Sequence, residues 1–135
     1  MKIILAKTAG FCFGVNRAVN MVYDLIEKGE KVCTLGPIIH NPQMVAELEQ
    51  KGVKTVENVT DVNSGETLVI RSHGVGEDVY LAAQNSGVKL ADATCPFVAK
   101  IHEIVKEHSE KGETILIAGD PNHQEVIGIT GHIKG

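Results

Sequence analysis

The 135-residue sequence has no tryptophan and only three phenylalanines and two tyrosines, so any core must be aliphatic. Nothing in it approaches the roughly 18 consecutive apolar residues that a membrane-spanning helix needs. The net charge of -4 comes without a basic run or stripe, which argues against a nucleic-acid partner. Met1-Lys2 leads straight into a short strand-like run, with no signal-peptide pattern. Cysteine is scarce: there are three, an odd number, none of them in a CxxC pair. A disulfide framework is therefore not expected, and the chain reads as cytoplasmic, without a membrane partner. Single, widely separated cysteines in such a chain are candidate ligands, nucleophiles or core residues.

What is present is alternation. Apolar runs of strand length occur at 3–6, 32–35, 53–56, 67–70, 88–91 and 114–118. Between most of them lie segments with helical spacing. Val15, Ala18, Val19, Val22, Leu25 and Ile26 follow an i, i+3, i+4, i+7 pattern. Asn41-Pro42 reads as an N-cap followed by proline at the first helical position, and Gly52 closes that helix. Val79 to Ser86 gives a third helix, and Phe97, Val98, Ile101, Ile104, Val105 and His108 stripe a fourth. A short fifth is expected near 124–129. Strands alternating with helices predict an α/β fold, a mostly parallel sheet with helices on both faces. Residues 1–95 read as one α/β unit and 96–135 as the beginning of a second, incomplete one.

Special polar residues follow the strand-like runs. Cys12, His40, His73 and Cys95 each come after one, as do His123 and Glu125 together. In an open α/β sheet, groups just past the carboxyl ends of the strands converge on one crevice. Thiols, imidazoles and a carboxylate from distant parts of the chain would then share a site. Cys12 lies between Gly10 and Gly14 before the first helix, and Cys95 precedes Pro96 at the start of the fourth. Both stand where a helix N-terminus stabilises a thiolate; the plainer reading is a small core or capping residue. Cys33, inside the run at 32–35, reads as buried and structural. His40 and His73 precede helices and suit anion binding, or else are capping or solvated loop residues. Glu125 beside a metal could relay protons and His123 could orient a substrate oxygen, unless both belong to an ordinary first helical turn. His102, His108 and His132 have no such context; the first two read as surface or core-edge residues of the fourth helix. On the residues alone a cysteine-ligated or redox centre, a thiol or zinc hydrolase and a non-enzymatic anion-binding module all stay open.

Five stretches resemble a known family. Gly10-Phe-Cys-Phe-Gly-Val-Asn-Arg-Ala-Val19, Leu35-Gly-Pro-Ile-Ile-His-Asn-Pro42, Arg71-Ser-His-Gly74, Asp92-Ala-Thr-Cys-Pro96 and His123-Gln-Glu-Val126 are similar to motifs of the 4-hydroxy-3-methylbut-2-enyl diphosphate reductase family. The resemblance runs through essentially the whole chain, in order. It implies an iron–sulfur oxidoreductase of the non-mevalonate isoprenoid pathway, which reductively removes a hydroxyl from an allylic diphosphate to give isopentenyl and dimethylallyl diphosphate. Electrons would come from a donor such as ferredoxin or flavodoxin. Carried over, Cys12 and Cys95 would ligate a [4Fe–4S] cluster, His40, His73 and His123 would hold the diphosphate, and Glu125 would supply the proton for loss of water. The family builds three α/β units around the cluster and takes its third ligand cysteine from farther along. The resemblance therefore implies an N-terminal portion, inactive by itself, whose first strand (1–7) is a candidate partner for the absent third unit.

Overall fold

The computed structural model describes residues 1–134. In chain order the elements are α1 (Phe13–Glu27), β1 (Lys31–Leu35), α2 (Pro42–Gln50), β2 (Lys54–Val56), a single 3₁₀ turn (Val59–Asp61), β3 (Glu66–Ile70), α3 (Glu77–Ser86), β4 (Lys89–Asp92), α4 (Pro96–Glu110) and α5 (Gln124–Thr130). The four strands form one sheet in the order β2-β1-β3-β4, and every pairing is parallel. The central strand β3 is buried at all five positions, as expected where both faces of a parallel sheet are covered.

Side chains alternate across the sheet, and each face has its own core. On one, Val32 and Val69 pack with Ala18, Val19 and Val22 of α1 and Leu48 of α2. On the other, Cys33, Leu35, Leu68 and Ile70 pack with Val59, Val75 and Ala83 of α3. Helices thus cover both faces, as the alternating pattern predicts. Cys33 is fully buried in the sheet with its thiol toward the Thr67 carbonyl oxygen, 3.6 Å away, and burial pushes the thiol pKa up to about 11.

Two expected strands do not form. Neither 3–6 nor 114–118 pairs with any strand among the described residues. Their apolar side chains stand in solvent: Ile3 is 79 %, Leu5 83 % and Leu116 94 % exposed. Strand propensity mostly measures fit to a pleated, half-buried surface, and no neighbouring edge meets these two runs. The fourth helix also differs from its expected stripe. Val98, His102, Val105 and Ser109 are its buried positions, whereas Phe97, Ile101 and Ile104 face outward. His102, expected at the surface or the core edge, is therefore an interior residue.

Candidate functional site

The strand order fixes where a site can be. From β1 the chain crosses to β2 on one side, then returns to β3 on the other. The crevice beyond the carboxyl ends of β1 and β3 lies where the crossover direction reverses, the usual place for a ligand in open α/β sheets. His40 follows β1 and immediately precedes α2, whose N-cap Asn41 accepts a hydrogen bond from the Met44 amide at 3.0 Å. His73 follows β3. His123 is the N-cap of α5 and accepts a hydrogen bond at Nδ1 from the Glu125 amide at 3.3 Å. In the neutral tautomer that this bond requires, the proton sits on Nε2, leaving that nitrogen as a free donor.

These three imidazoles come together. The His40 and His73 ring centroids are 4.5 Å apart, His40 and His123 are 5.8 Å apart, and His73 and His123 are 5.9 Å apart. Burial, with the nearby His40, Arg71 and His123 in turn, holds the His73 pKa down at about 4. Its Nδ1 is buried with no hydrogen-bond partner among the described residues. A neutral imidazole with an unpaired buried nitrogen, next to two more exposed imidazoles, suits a ligand bearing several acceptor oxygens. Glu125 lies half-buried in the first turn of α5, two residues after His123.

The helix starts that bear the two cysteines are also brought together. Cys12 is the N-cap of α1 and Cys95 the N-cap of α4. Both thiols are free, Cys12 exposed and Cys95 half-buried, and neither side chain caps its helix. The two helix starts touch through Gly14, where an added Cβ would stand 2.6 Å from Cys95 Sγ. A side chain there would drive the start of α1 away from Cys95. Three contacts tie the Cys95 turn to its surroundings. The Cys95 amide donates to the Ser72 carbonyl at 2.9 Å, Asp92 accepts from the Thr94 amide at 2.8 Å, and Arg17 donates to the Thr94 carbonyl at 3.1 Å. Two soft sulfur donors at helix N-termini fit an iron–sulfur or zinc centre. Among the described residues, however, no group of three or more His, Cys, Asp or Glu side chains could hold a metal ion. Cys33, locked in the sheet, adds nothing to the pair.

Several participants carry no strong sequence signal. Arg71 and Gln124 lie within matching motifs yet have no distinctive spacing; in the fold they pair across the crevice. His102 packs beneath the histidine loop. It stacks on His132 with centroids 4.3 Å apart, and burial, then His132, holds its pKa near 4 against the opposing pull of Asp92. An added Cβ at Gly74, whose φ is +71°, would stand 2.5 Å from His102 Cε1 and 3.0 Å from Thr94 Cγ2. Only glycine suits that position, because it needs both left-handed backbone and the space. His102 thus lies between the loop carrying His73 and the turn carrying Cys95. Its buried position on α4 was the one available signal, and the neighbouring apolar residues masked it.

Comparison with known proteins is consistent across sequence and structure. The family model described as LytB protein matches residues 3–135. A 4-hydroxy-3-methylbut-2-enyl diphosphate reductase of Clostridioides difficile (strain 630) is 50 % identical over 132 residues, covering 97 % of this chain and 47 % of that protein. One of Geotalea daltonii is 50 % identical over 135 residues, covering 100 % of this chain and 48 % of that protein. A solved structure of (E)-4-hydroxy-3-methyl-but-2-enyl diphosphate reductase, described as the terminal enzyme of the non-mevalonate pathway, superposes with a TM-score of 0.82 at 44 % identity, over 96 % of this chain and 46 % of that one. The Plasmodium falciparum E-1-hydroxy-2-methyl-but-2-enyl-4-diphosphate reductase superposes with a TM-score of 0.88 at 31 % identity, over 93 % of this chain and 40 % of that one. The chain thus spans about half the length of the curated relatives it matches.

Proposed function

The chain belongs to the LytB protein family, and from that premise we propose that it contributes the diphosphate-binding histidines and two cluster ligands of a 4-hydroxy-3-methylbut-2-enyl diphosphate reductase. The observation that carries this reading is the meeting of His40, His73 and His123 in a fold that also packs together the helix starts bearing the free thiols Cys12 and Cys95. The reaction replaces a C–OH bond of an allylic diphosphate by C–H. It consumes two electrons and two protons and releases one water. The electrons come from a low-potential donor of the ferredoxin or flavodoxin type, which fits a cytoplasmic setting. Among the described residues no helix is long and apolar enough to cross a membrane.

In this assignment His40, His73 and His123 bind and orient the diphosphate. Neutral His73 supplies hydrogen-bonding nitrogen without the cost of a buried charge, and His123 donates from Nε2. Glu125 holds the proton delivered to the departing hydroxyl. Cys12 and Cys95 would hold a [4Fe–4S] cluster together with a further thiolate from outside the described residues; when bound, such a cluster supplies one-electron transfer and a Lewis-acidic iron. Residues 1–95 form the first unit in this reading. Residues 96–135, with helices α4 and α5 and the run at 114–118, begin a second and incomplete unit, residue 135 lying outside the described residues, and the run at 1–7 belongs with a third.

The test is anaerobic reconstitution with iron and sulfide in a chain extended to the full length of its relatives, comparing Cys12→Ser, Cys95→Ser and Cys33→Ser. Cluster iron and labile sulfide should vanish with the first two and persist with the third. Stoichiometric zinc without labile sulfide would overturn the reading in favour of a hydrolytic centre.

A further inference from the structure

Arg71 is the residue that ties the three histidine-bearing segments to one another. It follows β3 directly and lies two residues before His73. Its Nη1 donates to the carbonyl of Leu35, the last residue of β1, at 3.3 Å. Its Nη2 donates to Oε1 of Gln124, the first residue of α5 and the neighbour of His123. The guanidinium runs so close over Gly36 that a Cβ there would collide with Nη1, and Gly36 has a φ of +66°. Nε is buried with no hydrogen-bond partner among the described residues, so the two Nη groups make the crossing.

The far end of α5 is held differently. Gly128 packs against the Gly74 backbone, and a Cβ on Gly131 would collide with Gly76. The Glu77 amide donates to the Gly131 carbonyl at 3.2 Å. A cavity of about 710 Å³ runs along α5, with Leu35, His40, Arg71 and Gln124 in its wall at the start of the helix and Gly128 and Gly131 at its end. Backbone packing holds the end of the helix, and the Arg71 guanidinium, bonded to Leu35 and Gln124, holds its start.

We propose that Arg71 is the positioning residue of the anion site, its guanidinium fastening the ends of β1 and β3 to the start of α5 and thereby setting the spacing of His40, His73 and His123. This rests on the diphosphate reading above. The planar fork of arginine spans two acceptors in fixed directions, which an ammonium cannot do. The role therefore depends on shape as well as on charge.

The test uses inorganic diphosphate and the chain extended to the full length of its relatives, with affinity from calorimetry and ring-to-ring contacts from NMR of labelled histidines. Gln124→Ala trims one polar group from the first turn of a short helix and leaves both cores untouched. It should weaken diphosphate binding by about tenfold, the usual weight of one hydrogen bond to a charged group. The same variant should lose the His40–His123 contact at an unchanged melting temperature. Arg71→Lys keeps the charge and should lose as much, and the double variant should be no worse than either single one. Variants of Arg71 and Gln124 that bind like the parent, while His123→Ala does not, would overturn the positioning role and leave the diphosphate reading standing. Equal binding by the parent, His73→Ala and His123→Ala, or no binding at all, would take down both.

Discussion

The histidine end and the cysteine end of the crevice are assembled to different extents by the same 134 described residues. At the histidine end three rings from three separate loops meet within 6 Å of one another, cross-braced by Arg71. At the cysteine end two thiols lie at adjoining helix starts, with no third ligand in reach among the described residues. In the proposed reading the first is a nearly complete anion site, whereas the second supplies two of the ligands of a metal centre. Anion binding should therefore be a property of this chain, and metal binding a property of something larger.

Acid should expose the contrast most strongly, because His73 and the His102 beneath its loop are held against protonation. His73 and His102 both have native pKa values near 4, below the usual value of about 6.5. Between those limits the unfolded chain binds more protons than the folded one, so stability is fully present above pH 6.5. It falls as the pH drops toward 4, by up to about 1.4 kcal/mol per pH unit for each histidine at the steepest point. Urea midpoints at pH 7 and pH 5 measure this directly, and His102→Leu should flatten the slope. Identical midpoints would mean that neither ring resists protonation.

A smaller effect separates the two ends by substitution. His73→Ala should weaken inorganic diphosphate binding by about 10- to 100-fold, whereas Cys12→Ser combined with Cys95→Ser should leave that affinity unchanged. A matching loss in the cysteine variant would show that the two ends form a single site. The smallest effect is expected from Gly14→Ala, which crowds Cys95 Sγ and should cost about 1–2 kcal/mol on thermal unfolding. It should also change the alkylation rate of Cys95 while leaving diphosphate affinity intact.

Much of this arrangement is legible in the sequence, because it depends on local rules. Strand-length runs at 32–35 and 67–70, an Asn-Pro helix start after His40 and a Cys-Pro start at residue 95 are short-range signals, and parallel topology then places their ends together. What escapes is what depends on a partner. The runs at 3–6 and 114–118 have strand composition yet no ladder, since a strand is made by its neighbour. On α4 the apolar count favours Phe97, Ile101 and Ile104, but the helix buries His102 and Ser109 instead. That outward face and the run at 114–118 border a groove of about 450 Å³, so the apolar residues that mislead the reading are on a surface the sheet does not cover. Arg71 and Gln124 are invisible for a similar reason: their pairing spans 53 positions of sequence and follows no periodicity.

The β3–β4 ladder does not end with its strands. The Ala93 amide donates to the Ile70 carbonyl at 3.1 Å and the Cys95 amide to the Ser72 carbonyl at 2.9 Å, carrying the zipper of the sheet into the two loops that bear Cys95 and His73. In the language of amide exchange, these two loop hydrogens should belong to the slow population. They open with the sheet as one cooperative unit and not with the surface turns around them. A thiol and an imidazole on nominally flexible segments thus share the lifetime of the core, and neither loop can wander without the other.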